Sequence, residues 1–385
     1  MSQQELLKTD KLNQARVTRR EYLRFVTTAA TTAMLPSLNR AIAAVTRSTE
    51  PAASGAMAVK TDSSAGDARM QGLFLIPSTP YTSSGAVDYD DLAREAKFME
   101  WCGVNGIVWP QASETVAFLS KEEKLKGMEV LTKANIGQKT VLCLGVNGHD
   151  TADMLDYARH AEALAPGAVI SRPPDSGTSQ QDILEYYRAL GKIMRRPVII
   201  QGTGGYNYKG PTPSVELITQ LQEEFPQFGY VKEETAPLYP TTADRMRIEL
   251  KSQPPVKCIF SAWGALGWLY EMRIGSRGLI TERVAYADLM VRIRNAFLSG
   301  HSEEARDLYS KFLLLADLNL NLADSQGFRD PHLYILKKRG VIKTTISRFP
   351  DGSFKELSLP PDMIDEIEYR FAAVKPYLRS VEFRD

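Results

Sequence analysis

Cysteine and histidine are scarce in this chain. Three cysteines, Cys102, Cys143 and Cys258, lie far apart in apolar segments with no CxxC pair, which excludes a disulfide framework and a cysteine-held metal site. They read as small buried residues. The four histidines, His149, His160, His301 and His332, stand at no metal-ligand spacing from one another, and His149 beside Asp150 reads as a solvated loop. Excess charge of either sign is also missing. With 47 Lys and Arg against 46 Asp and Glu the net charge is +1, so neither nucleic acid nor a polybasic membrane contact is indicated. No glycine-rich phosphate loop follows the first strand pattern, which argues against a doubly wound nucleotide-binding sheet. What is present is ordinary globular composition, 43% hydrophobic and 24% charged, over a length sufficient for one large domain.

The first residues are of another kind. Thr18-Arg19-Arg20-Glu21-Tyr22-Leu23-Arg24, followed by the weakly apolar Phe25 to Leu35 and then Ala41-Ile42-Ala43, resembles a twin-arginine export signal with its cleavage site. The apolar stretch is too short and too rich in Thr and Ala to span a bilayer stably. Residues 1–44 are therefore expected to direct export to the periplasm. Residues 45–70, dominated by Ala, Ser, Gly, Thr and Asp, are expected to form a disordered tether.

From Gln71 onward short apolar runs alternate with longer amphipathic ones. Strands are predicted at Gly72–Pro77, Gly106–Pro110, Thr140–Val146, Ala168–Arg172, Pro197–Gln201, Gly229–Glu233, Val256–Ser261 and Gly278–Thr281. Helical patterns begin near Asp88, Lys121, Thr151, Gln180, Thr212, Thr241, Ala265 and Glu282, several opened by a Ser, Thr or Asp able to cap free amides. Eight strands each followed by a helix is the count of an α/β fold of the (β/α)8 TIM barrel type, placed at 71–299. Helical stretches at Glu303–Asn319, Pro331–Lys338 and Pro361–Tyr377 make 300–385 a C-terminal helical appendage.

Chemistry in such barrels sits at the C-terminal strand ends. There the sixth strand, within Phe228-Gly229-Tyr230-Val231-Lys232-Glu233-Glu234-Thr235, delivers a lysine. Burying an ammonium ion in an apolar run is costly, so Lys232 calls for a partner or for a neutral amine, which is a nucleophile toward carbonyls. Alternation puts Tyr230, Lys232 and Glu234 on one face and Val231 on the other. Because Val231 suits the helix-packed outside, Lys232 should face the barrel axis.

These residues carry a family resemblance over about residues 71 to 345. Thr79-Pro80-Tyr81, Gly85-Ala86-Val87-Asp88, Gly103-Val104-Asn105-Gly106-Ile107-Val108, Leu119-Ser120-Lys121-Glu122-Glu123-Lys124, Asp150-Thr151-Ala152-Asp153, Val231-Lys232-Glu233, Asp330-Pro331 and Lys338-Arg339-Gly340-Val341 follow in an order and spacing that resembles the dihydrodipicolinate synthase and N-acetylneuraminate lyase family of class I aldolases. The resemblance implies a lyase of aldolase or hydratase type in which Lys232 condenses with a 2-oxo acid, with no cofactor and no metal. It also implies a homo-oligomer, dimer or tetramer, although Pro173-Pro174 replaces an aromatic pair the family exchanges across its dimer interface. The family's second-strand loop, Gly-Thr-Thr-Gly-Glu or Gly-Ser-Thr-Gly-Glu, is here Gln111-Ala112-Ser113-Glu114-Thr115, in which Ser113 keeps a hydroxyl. The tyrosine that ends the family's fifth strand as proton shuttle is Gln201, which cannot ionise.

Glu234 replaces a small residue. On the lysine's own face it either stabilises the ammonium, against nucleophilic attack, or serves as general base in place of the tyrosine. Tyr206, in the loop Thr203 to Gly210, is a further candidate for the proton relay. The expected catalytic set is thus Lys232, Ser113, Glu234 and Tyr206. The expected substrate contacts are Thr79, Gln111, Ala112, Arg172 and Gln201, with Trp109 and Trp263 suited to stacking on a sugar ring. The competing expectation is a barrel that has lost aldolase chemistry and binds a small sugar-like or carboxylate ligand.

Overall fold

The computed structural model describes residues 67–111, 118–203, 208, 210–235, 241–318, 330–349, 351–380 and 382–384. The twin-arginine-like segment lies outside them. Eight parallel strands, β1 (Gly72–Leu75), β2 (Gly106–Trp109), β3 (Val141–Gly145), β4 (Ala168–Ser171), β5 (Val198–Gln201), β6 (Tyr230–Lys232), β7 (Cys258–Ser261) and β8 (Gly278–Thr281), pair in chain order, and β8 returns to β1 to close a barrel. The fold is the (β/α)8 barrel expected from the alternation. Its strands are three to five residues long, shorter than their apolar runs, because the residues at each end turn away from the ladder.

Helices α1 (Tyr89–Cys102), α2 (Lys121–Ala134), α3 (Thr151–Leu164), α4 (Gln180–Ile193), α5 (Val215–Glu224), α6 (Thr241–Lys251), α7 (Trp268–Ile274) and α8 (Ala287–Leu298) follow the eight strands in turn. Short polar side chains start most of them. Asp88 and Asp150 accept from backbone amides of the first turn, and Ser120 with Glu123 and Ser179 with Asp182 form capping boxes. Three starts fall later than the sequence suggests, at Val215, Trp268 and Ala287. Ser214 rather than Thr212 caps α5. Single 3-10 turns, Trp263–Ala265 and Val284–Tyr286, occupy the entries to α7 and α8.

Period-two alternation divides the core. Phe74, Val108, Cys143, Ile170, Ile199, Tyr230, Cys258, Phe260 and Ile280 form the cluster inside the barrel, while their neighbours pack outward on the helices. Phe74 and Phe260 meet edge to face at 5.0 Å, and Gly106 and Gly278 make room for them, since a Cβ at either glycine would fall within 2.4 Å of a ring. Inner packing begins before residue 71. Met70, fully buried, belongs to the interior cluster, and the Asp67 amide donates to the Tyr230 hydroxyl at 3.0 Å. The three cysteines are free and buried.

The appendage comprises α9 (Ser302–Ala316), α10 (Asp330–Lys338), the hairpin β9 (Ser347–Arg348) with β10 (Phe354–Lys355), and α11 (Pro361–Val374). It is tied down by ion pairs. Arg339 forks onto the buried Asp288 of α8 at 2.7 and 2.9 Å, and Arg348 forks onto Glu123 at 2.7 and 2.8 Å while lying over the Tyr81 ring.

Candidate active site

Lys232 ends β6, 4% exposed, at the C-terminal mouth of the barrel. Register fixes its neighbours, for its Cα pairs with Gln201 on one side and Phe260 on the other. Tyr230, two residues earlier, lies in the interior cluster and Val231 in the outer one, so Lys232 faces the axis as the alternation predicts. Its ammonium lies 3.0 Å from Glu234 Oε2. The same oxygen accepts from Gln201 Nε2 at 2.9 Å.

Behind Gln201 runs a chain of side-chain amides. Gln201 Oε1 accepts from Gln111 Nε2, Gln111 Oε1 accepts from Asn147 Nδ2 at 3.4 Å, and Asn147 Oδ1 accepts from the Arg172 amide at 2.8 Å. Five strand ends thus contribute to one line of hydrogen bonds. Each amide accepts from behind and donates forward, so the chain terminates on the Glu234 carboxylate. Donors aimed at a carboxylate fix its rotamer.

The other charges at the mouth are also matched. Arg172 forks onto Asp175 at 2.5 and 3.2 Å, and His149, largely exposed, approaches the same carboxylate at 3.6 Å. Arg283, 4% exposed, meets Glu282 at 2.8 Å. Burial by itself would raise the Glu282 carboxyl, but the nearby charges of Arg283 and Lys232 hold it below the usual carboxylate range. Lys232 has the Glu234 carboxylate in contact, and within its electrostatic reach lies Glu282, a residue the sequence pattern assigns to a helix start. Its signal was available, as an acidic and basic pair directly after an apolar strand.

Glu233, on the outward face, supports the strand end. Its carboxylate accepts from the Thr235 amide at 2.8 Å and from Arg245 Nε at 3.1 Å, and Arg245 also reaches Glu249 at 3.1 Å. Both glutamates are fully buried. Burial and the neighbouring Glu233 push the Glu249 carboxyl well above its ordinary range, only partly offset by Arg245.

Of the expected residues, the structure brings Lys232, Glu234, Gln201 and Gln111 together. Arg172 is at the mouth but paired with Asp175, so it is not the free cation expected there. Trp109 is not a pocket residue. It faces outward, fully buried, where its ring takes the place a Cβ on Gly127 of α2 would need, 2.1 Å from the ring edge. The reason is parity, since Val108 is the inward residue of β2. Thr79, also buried, gives its oxygen to the Trp109 indole at 3.3 Å and is thereby engaged in packing. Trp263, half-buried beyond β7, belongs to neither core cluster. Tyr208, of the loop that holds Tyr206, donates to the Pro211 carbonyl, and burial pushes its hydroxyl up to about 12. Ser113, Ala112 and Tyr206 lie outside the described residues.

Comparison with known proteins agrees with this geometry. The model of the dihydrodipicolinate synthetase family matches residues 69–359. A 4-hydroxy-tetrahydrodipicolinate synthase of Chlorobium chlorochromatii is 26% identical over 269 residues, 69% of this chain and 86% of the relative. Two solved structures share the fold. A putative dihydrodipicolinate synthetase from Pseudomonas aeruginosa superposes with a TM-score of 0.68 at 21% identity, over 80% of this chain and 99% of that one. A sialic acid aldolase of Ruminococcus gnavus, altered at its catalytic lysine, gives 0.69 at 16% identity, over 80% and 97%. With the family matched across the whole barrel and an inward lysine on β6, the chain belongs to the dihydrodipicolinate synthetase family and is a lyase of that class I aldolase group.

Proposed function

We propose that the protein is a Schiff-base lyase acting on a 2-oxo acid, with Lys232 as nucleophile and Glu234 as its proton carrier. The observation that carries this is the buried, axis-facing Lys232 ammonium 3.0 Å from Glu234 Oε2. In the first step Glu234 takes a proton from the ammonium, and the free amine attacks the keto carbon to form a carbinolamine. Glu234 gives its proton to the alkoxide oxygen, takes the second proton from the nitrogen and delivers it to the resulting hydroxyl, so that the C–O bond breaks, water leaves, and the nitrogen lone pair closes the iminium. That iminium takes up the electron pair released when the carbon beside it loses a proton or its bond to the next carbon along the substrate. No ionisable tyrosine is needed at Gln201, because the amide chain from Asn147 through Gln111 and Gln201 holds the carboxylate that replaces it. As the family resemblance implies, the substrate carboxylate is assigned to the Gln111 to Thr115 stretch. Export by the twin-arginine route is part of the same proposal and would place the substrate outside the cytoplasm.

The test is exchange of pyruvate methyl protons in D2O, read by NMR, since an enamine formed from the iminium takes deuterium at that carbon. Exchange well above buffer is expected, and its absence from folded protein speaks against the proposal. Glu234→Gln keeps the volume and the bond to Gln201 but moves no proton, so exchange should slow by about 10²- to 10⁴-fold. An unchanged or faster rate would reduce Glu234 to an ion-pair partner.

A ligand-binding barrel without covalent chemistry is the second possibility. It is favoured by one observation, that Lys232, Arg172 and Arg283 are each already matched by a carboxylate at the mouth. Saturable binding of a 2-oxo acid with no exchange would select it.

A further inference from the structure

The net charge of +1 hides an uneven distribution. In this barrel the connections that lead from helices back into strands lie at the N-terminal face, the end away from Lys232. Between α1 and β8 they are three to six residues long, so no long loop stands out from that face. Five cations stand in them, Lys139 before β3, Arg195 and Arg196 before β5, Lys257 before β7 and Arg277 before β8, and no acid stands with them. None of the five forms an ion pair among the described residues, and Arg196 Nε has no hydrogen-bond partner.

Stabilising the helices does not account for these charges. A cation offsets a helix dipole within the last turn, and the last turns of α2, α4, α6 and α7 already carry Lys133, Lys192, Lys251 and Arg273. Acids beside the connections are engaged. Glu100 accepts from the amides of Lys139 and Thr140, Glu162 accepts from the amide of Arg195, and Asp67 is forked by Arg69. Two large apolar side chains stand uncovered on the same rim, Ile136 before β3, 75% exposed, and Leu298 at the end of α8, 61% exposed. The chain also enters the barrel here. The Asp67 amide bonds to Tyr230 at the start of β6 and the Gly72 amide to the Arg277 carbonyl. The sequence before residue 67, with its arginine pair and the apolar stretch from Phe25 to Leu35, therefore leads into this face rather than the mouth.

We propose that the N-terminal face of the barrel docks on the anionic headgroups of a phospholipid bilayer, with Lys139 and Arg195 as principal contacts and Ile136 entering the headgroup layer. Unpaired cations spread over a face, rather than gathered in a cleft, match a surface of phosphates. The uncovered isoleucine and leucine gain from the acyl boundary, which a nucleic-acid backbone does not offer. Docked in this way, the barrel turns its mouth away from the bilayer and leaves it open to substrate. The inference does not rest on the Schiff-base reading, since it uses no residue of the site.

The test is sedimentation of the full chain with vesicles of phosphatidylcholine, alone or mixed with phosphatidylglycerol, at low salt. Binding is expected only to the mixed vesicles and should fall as salt is added. Each Lys or Arg near an anionic surface contributes about fivefold, so Lys139→Gln with Arg195→Gln should weaken binding by about thirtyfold. Lys126→Gln with Lys355→Gln removes the same charge from exposed positions on α2 and β10 and should leave binding within about twofold, because charges beyond about 10 Å are screened. Ile136→Ser should cost about fivefold on vesicles and nothing on duplex DNA, where no apolar layer is entered. All these variants should melt with the wild type. Absence of binding to the mixed vesicles, equal losses in the two double variants, or no loss in either would overturn the proposal, the last by assigning the contact to residues before 67. Binding to duplex DNA without binding to vesicles would overturn it as well.

Discussion

Lys232→Met is expected to abolish exchange of pyruvate methyl protons, a loss of about 10⁴-fold or more, to the rate of the buffer. Methionine keeps the length and burial of the side chain, so the loss reports the amine rather than a cavity. It does leave Glu234 without its cation. That carboxylate is 17% exposed on its side chain and still accepts from Gln201, so the cost is bounded. The double variant Lys232→Met with Glu234→Gln removes even that charge and should melt near the wild type while remaining inactive. Exchange persisting in either variant would place the nucleophile elsewhere.

Arg245→Met should destabilise the protein by about 3–5 kcal/mol, because it removes the cation shared by two fully buried glutamates. The mouth should suffer with it, since Glu233 holds the Thr235 amide one turn from Lys232. The pH dependence has a definite sign. Glu249 has its folded carboxyl raised above the unfolded value, so between those two values the native state binds the extra proton. Its contribution to stability is greatest below the unfolded value and falls as pH rises through the window toward the raised one. Arg245→Met should steepen that fall. Glu249→Gln, which is neutral at every pH, should flatten it and melt higher than the wild type at neutral pH. Denaturant midpoints measured at mildly acidic and at neutral pH test both. A destabilisation by Arg245→Met that does not grow with pH would mean the cluster is not ionised as described.

The barrel was legible because its signals are local and repeated. Eight apolar runs with capped helices between them leave little freedom in topology, and the parity of Tyr230, Val231 and Lys232 orients the lysine without reference to any other strand. The site was legible only in part, because its partners are set by contacts across strands. Gln201 looked like a lost tyrosine. In the structure it is one link in a line of amides that includes Asn147, whose role depends on three strand ends meeting. Trp109 looked like a stacking surface, but a single residue of parity turns it toward Gly127. Arg172 looked free until the chain curled to bring Asp175 back three residues later. Glu282 and Arg283 were hidden by the helical pattern that follows them, although their helix starts only at Ala287.

If Lys232 forms an iminium with a 2-oxo acid, borohydride will reduce it to a stable secondary amine. The wild type would be incubated with borohydride and pyruvate or 2-oxo-3-deoxygluconate, then read by intact and peptide mass spectrometry. A single added substrate residue is expected on the peptide carrying Lys232, absent from Lys232→Met. Folded protein that yields no adduct with any 2-oxo acid, or an adduct on another lysine, would contradict an iminium at Lys232.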